Sequence, residues 1–152
     1  MLKNRDITES VFVGDIEKIT LDNENYREVL FTTSTQQLVI MSLLPNEEIG
    51  EEVHSDTTQF IRIEKGVCDA ILNGKVFHMK ENDALVIPPK TVHNIINTSA
   101  TEKLKLYTIY APPEHPQKTI QPTKPNKEHN GGSQLYANLY MKSRFDYFAL
   151  KI

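Results

Sequence analysis

The amino-acid sequence predicts an all-β domain, a barrel or sandwich of short strands, followed by a tail of different chemistry. Three observations carry this. From Val11 to Tyr110 the apolar residues come in short runs, broken at close spacing by turn residues, and no run is long enough for a helix. The runs are rich in Val, Ile, Leu, Phe and Tyr, the side chains that suit a pleated, half-buried surface. Many short strands with frequent turn signals mean a sandwich or a closed barrel.

Taken in order, the candidate strands are Arg27–Thr32, Leu38–Leu43, Gln59–Lys65, Val67–Leu72, Lys75–Met79, Ala84–Ile87, Val92–Asn97 and Leu104–Tyr110. Along the third, strict alternation sends Gln59, Ile61 and Ile63 inward and Phe60, Arg62 and Glu64 to the other face. The fourth and fifth are joined by Asn73-Gly74, two residues that tolerate positive φ and so predict a two-residue type I′ hairpin. That register pairs Cys68 with Met79 and Ala70 with Phe77 on an apolar, inward face. It pairs Asp69 with His78 on the opposite one, which gives His78 a structural explanation as an outward histidine beside a carboxylate. The seventh strand follows the Pro88-Pro89 turn.

After Tyr110 the chain turns to Pro, Lys, Asn and Gln. Residues 112–132 therefore read as an extended polar strap on the surface. Residues 134–152 regain Tyr136, Tyr140, Phe145, Tyr147 and Phe148. The i,i+4 pairs Leu135/Leu139 and Tyr136/Tyr140 suggest a helix, whereas the later residues fit a strand equally well. So much apolar surface is expected to pack on the barrel or on a partner. The division is thus a β domain over 1–111 and an extension over 112–152.

At 152 residues, with 39% hydrophobic and 24% charged, the chain suits one soluble domain with a sizeable core. A formal net charge of −3 argues against a nucleic-acid partner, which wants a clustered basic surface. No apolar run approaches the roughly 20 residues needed to span a bilayer. The first residues turn polar at once, without a signal-peptide core. Cys68 is the single cysteine and reads as a small buried hydrophobe in a reducing cytoplasm.

The chemistry sits in two half-motifs separated by the hairpin. The first runs from Gly50 through His54, Asp56 and Gln59 to Gly66; the second runs from Pro88 through Lys90 and His93 to Asn97. Residues two apart on a strand share a face, so His54 and Asp56 are expected to face the barrel interior together. Gln59 opens the next strand, and His93 arrives from another. Two imidazoles, a carboxylate and an amide oxygen make a mixed nitrogen and oxygen site for one divalent ion: Fe, Mn, Ni, Co or Zn. His115 and His129 fall in the polar strap and read as surface residues. If the strap folds over the barrel mouth, His115 is the one placed to touch a substrate.

These residues resemble the cupin superfamily. Its first motif is commonly a glycine, five residues, His-x-His, three or four residues, Glu, six residues and a glycine. Its second runs glycine, five residues, Pro-x-Gly, two residues, His, three residues, Asn. Phrases such as Ile49-Gly50-Glu51-Glu52-Val53-His54, Gln59-Phe60-Ile61-Arg62 and His93-Asn94-Ile95-Ile96-Asn97 are similar to small single-domain cupins of the mannose-6-phosphate isomerase-like kind. The departures are Asp56 for the second histidine, Gln59 for the glutamate and Lys90 for the second-motif glycine, which predicts an altered Pro88–Thr91 loop. The resemblance implies a jelly-roll barrel with a metal or substrate site in its interior, and a homodimer, to which the outward Phe60, Arg62 and Glu64 and the tail aromatics would contribute. It further implies an isomerase-like, metal-dependent enzyme acting on a small, polar, sugar-like molecule. Two alternatives stand beside it. One is an Fe(II) oxygenase using His54, Asp56 and His93; the other is a non-catalytic module that binds or senses a small molecule.

Overall fold

The computed structural model describes residues 11–126; the expectations on residues 134–152 lie outside the described residues. All eight expected strands form, each end within one residue of its expected place. They are β1 (Arg27–Thr32), β2 (Gln37–Leu43), β3 (Thr58–Lys65), β4 (Val67–Leu72), β5 (Lys75–Lys80), β6 (Ala84–Ile87), β7 (His93–Asn97) and β8 (Leu104–Ala111), with a further short β9 (Ile120–Gln121) in the strap. One element is new. Helix α1 (Ile16–Asp22) is N-capped by Asp15, whose carboxylate accepts the Lys18 N–H at 3.1 Å. Its seven residues make two turns, too few for the helical period to stand out among strand-like runs.

The strands pair antiparallel into two sheets, in the orders β6-β3-β8-β2-β1-β9 and β5-β4-β7. The sheets face each other as a jelly-roll β-sandwich. Val39, Met41, Ile61, Ile63, Leu104 and Leu106 from the larger sheet are fully buried and form one core with Cys68, Ala70 and Ile95 from the smaller. Each large side chain withdrawn from water in this way contributes roughly 1.5–3 kcal/mol. The alternation expected on β3 is present: Gln59, Ile61 and Ile63 are buried, and Phe60, Arg62 and Glu64 are half-buried on the other face. The β4–β5 turn takes φ of 47° at Asn73 and 82° at Gly74, with the expected register throughout. Phe77 is the exception on the apolar face. It is 40% exposed, with the Lys75 ammonium 5.0 Å above its ring. Among the described residues no helix is long and apolar enough to cross a membrane.

Two features position the functional residues. The first is a polar row across the large sheet, where Gln59 of β3, Tyr110 of β8 and Gln37 of β2 stand in register and are all fully buried. The second is the strap, which turns back over that row. Gln37 accepts the backbone N–H groups of Glu114 and His115 at 3.3 and 3.0 Å and donates to the His115 carbonyl at 2.8 Å. Farther on, β9 adds to the sheet beside β1 through Arg27 and Glu28.

Candidate metal centre

The segment before β3 is tied to β7 by single bridges, not by a regular ladder. Glu52 and His93 exchange backbone hydrogen bonds, N–H to carbonyl, at 2.8 and 2.9 Å. Two residues on, the His54 carbonyl accepts the Lys90 N–H at 2.7 Å. Alternation about the exposed Val53 then sends Glu52 and His54 to the same inner side, where His93 already points.

Each imidazole is held by one nitrogen and offers the other. His93 Nδ1 lies 2.8 Å from the Thr91 carbonyl, an acceptor only, so Nδ1 carries the proton and Nε2 presents a lone pair. His54 Nδ1 faces Glu114 Oε2 at 3.5 Å, and Glu114 is itself fixed by Thr57 Oγ1. Both Nε2 atoms turn toward Glu52 Oε2, at 3.6 Å from His54 and 3.8 Å from His93. Burial opposes the charge on Glu52, yet the adjacent His54 ring, with Arg27 and His93 beyond it, holds its carboxyl below the ordinary range. Glu52 raises His54 above the usual imidazole value, against the effect of burial. Burial lowers His93.

One ligand atom each from Glu52, His54 and His93 lies within 4.8 Å of the others. Ligands about 2.0–2.2 Å from one ion stand roughly 3.4 Å apart, so this trio needs little movement to share one. The donors also lack other employment. His54 Nε2, His93 Nε2 and the Gln59 carbonyl oxygen are buried without a hydrogen-bond partner, which costs about 1–3 kcal/mol for each unless a ligand supplies the partner. Gln59 is oriented by its amide nitrogen, which donates to Thr108 Oγ1 at 3.1 Å. A divalent cation fits this donor set.

The structure thus brings His54 and His93 together and sets Gln59 beside them. Asp56, expected to face inward with His54, is instead exposed and accepts the Ser55 hydroxyl at 3.0 Å. His54 lies outside any strand, so the alternation has to be counted back toward the Glu52 bridge, and not forward into the bend at Ser55-Asp56. His78 is exposed and bonds Asp69 at 2.6 Å. His115 is half-buried, because the strap folds back over the barrel as the second reading of that residue requires. Its ring meets Tyr110 edge to face at 5.1 Å, its Nε2 is buried without a partner, and burial together with Arg27 pushes it down to about 4. Tyr110 in turn meets His54 edge-on at 5.9 Å.

Residues 39–110 match the profile of the cupin domain family. The chain is a cupin. It is 44% identical over 146 residues to an uncharacterized protein of Acanthamoeba polyphaga mimivirus, covering 93% of this chain and 91% of that one. An uncharacterized protein of Bacillus subtilis is 40% identical over 119 residues; the match takes in 74% of this chain and 63% of the relative's length. Among solved structures, a crystal structure from Bacillus halodurans superposes with a TM-score of 0.73 at 36% identity, over 76% of this chain and 92% of that one.

The cupin motif itself contained the signal for Glu52. Its histidine pair ends three or four residues before the glutamate position. His54 stands four residues clear of Gln59, whereas Asp56 stands only two. His54 is therefore the second of the pair, and Glu52 occupies the place of the first. The second-motif glycine position also differs from expectation. Lys90 adopts φ of 66°, so the Pro88–Thr91 loop keeps a shape that a glycine would take freely, and its N–H reaches the His54 carbonyl.

Proposed function

We propose that this cupin is a mononuclear metal-dependent enzyme acting on a small polar molecule. Glu52, His54 and His93 would hold one divalent ion, and Gln59 Oε1 stands beside them. One observation carries the proposal: Glu52, His54 and His93 converge from two segments, and the buried Nε2 atoms of both histidines have no hydrogen-bond partner. The mixed nitrogen and oxygen set suits Fe(II), Mn(II), Ni(II), Co(II) or Zn(II), whereas calcium would want oxygen alone. When bound, such an ion polarises a carbonyl or hydroxyl oxygen as a Lewis acid. The protein's own residues do the rest. The Thr91 carbonyl and Glu114 hold the Nδ1 sides of the two histidines, which keeps both Nε2 lone pairs inward. His115, kept neutral, offers Nε2 to a substrate hydroxyl or to a proton in transit. Isomerisation of a sugar-like substrate is the reaction we propose first, in keeping with the family resemblance.

A second reading is favoured by the donor set. Two histidines and one carboxylate are the ligands of non-haem Fe(II) oxygenases, with Glu52 as the carboxylate. Elemental analysis after loading each metal should give about one ion per chain. Conversion of aldoses to ketoses without oxygen supports the isomerase, and oxygen uptake by the Fe(II) form supports the oxygenase. A protein that takes up no metal, yet is stabilised against heat by small molecules, would be a binding module, and both enzyme readings would fall.

A further inference from the structure

Once the centre accounts for His54 Nε2, His93 Nε2 and Gln59 Oε1, the buried partnerless side-chain atoms that remain among the described residues are Arg27 Nε, His115 Nε2, Arg62 Nε and Thr20 Oγ1. Arg62 Nε has Glu64 at 3.6 Å, and Thr20 carries no charge. Arg27 is different. It is only 6% exposed and stands in register with Met41, itself opposite Leu106, and with Gln121 on its other side, so it points inward with apolar neighbours on the β2 side. Its contacts are neutral: Nη1 donates to Gln121 Oε1 at 2.8 Å, and the guanidinium lies 5.1 Å from the centre of the Tyr26 ring. No ion pair within 4.0 Å joins it to a carboxylate among the described residues. A buried cation without a partner is costly, and a guanidinium with a free edge matches a carboxylate.

We infer that Arg27 and His115 form the substrate-recognition side of the site, and that the substrate carries a carboxylate. The inference rests on the metal-centre reading for the molecule's other end. Tyr110 spans the two sides, with His54 on one edge contact and His115 on the other. The strap builds the recognition side, since Gln121 orients the guanidinium and Gln37 fixes the backbone of His115. Arg27 is also near enough for its charge to act on Glu52, Tyr110 and His115.

The test is calorimetric titration of Mn(II)-loaded protein with glycolate and with its neutral counterpart ethylene glycol. Glycolate should bind and ethylene glycol should not. Arg27→Gln should weaken glycolate at least tenfold at unchanged metal content and melting temperature, with Arg27→Lys in between and His115→Gln weaker than the parent. Equal glycolate affinity in parent and Arg27→Gln, or no preference for glycolate over ethylene glycol, overturns the inference. If Arg27→Gln does not fold, Arg27→Lys and His115→Gln decide by the same comparison. In metal-free protein, thermal stabilisation by glycolate that Arg27→Gln removes supports the recognition pair independently, so loss of the metal reading and loss of this one are told apart.

Discussion

Glu52 and His93 are joined twice over: their backbones exchange hydrogen bonds at 2.8 and 2.9 Å, and their side chains meet at 3.8 Å between Oε2 and Nε2. A single bridge thereby sets both the spacing and the facing of two candidate ligands contributed by separate segments of the chain.

Substitution should separate Glu52 from Asp56. Glu52→Ala or His93→Ala is expected to reduce bound metal from about one equivalent to near zero, measured by elemental analysis on folded protein. Asp56→Ala should leave it unchanged, since that carboxylate is at the surface. Metal loss in the Asp56 variant with retention in the Glu52 variant would reverse the assignment.

How much of this was legible in the sequence differs between the sheets and the site. The strands and the β4–β5 register were readable because both depend on local signals, alternation and the Asn73-Gly74 turn. His54 and His93 were readable for the same reason, each lying in a recognisable motif. Glu52 was legible only through the motif's spacing back from Gln59, because a glutamate does not stand out at a histidine position and its facing depends on a bridge to a residue some forty positions away. Arg27 was hidden more deeply, whereas His115 was legible as the strap residue to touch a substrate if the strap folds over the barrel mouth. A lone arginine on β1 and a histidine in a proline-rich stretch become neighbours of the site only when the strap folds over the row formed by Gln37, Gln59 and Tyr110.

Lys90 holds a left-handed conformation, with φ of 66°, at a cost of about 1–2 kcal/mol for a residue with a Cβ. Lys90→Gly recovers this and loses part of it to the greater freedom of the unfolded chain. The net expectation is a stabilisation of about 0.5–1 kcal/mol, read from chemical denaturation. A lower midpoint would show that the lysine side chain contributes more than its backbone costs.

His115 gives the site a pH dependence with a definite sign. Its folded value, about 4, lies below the ordinary imidazole value, so the folded state resists protonation that the unfolded chain accepts. Stability from this group is complete above the unfolded value near 6.5 and declines as pH falls from there toward 4. The charged and titratable groups facing it are Arg27, Glu52, Glu114 and His54. Melting temperatures of the parent should fall over that interval more steeply than those of His115→Gln; parallel curves would contradict the assignment.

Cys68 is buried, and burial pushes its thiol up to about 12. Native protein should be inert to an aromatic disulfide reagent for hours and titrate one thiol per chain in denaturant. Rapid labelling at neutral pH without unfolding would place the residue in a more open setting.

We propose that the protein is a homodimer through the outer face of β3 and β6. Phe60 and Val86 are direct cross-strand partners there, Val86 is 60% exposed, and Tyr107 lies 6.1 Å from the Phe60 ring. Light scattering should give twice the chain mass, and Val86→Glu should shift it toward one. A monomeric parent at high micromolar concentration refutes the dimer.

The strap is fastened by the buried Gln37, by the short β9 pairing and by Glu114, which bonds Thr57 and faces His54, whereas the candidate metal ligands all belong to the sandwich and the segment bridged to it. Holding the ion and choosing the substrate are thus assigned to different stretches of chain, which meet at Glu114 and His115. Grafting a different segment after His115, with Gln37 and Glu114 retained, would redirect which molecules enter while the ion stays where it is, so this protein offers a scaffold in which preference can be rewritten without rebuilding the centre.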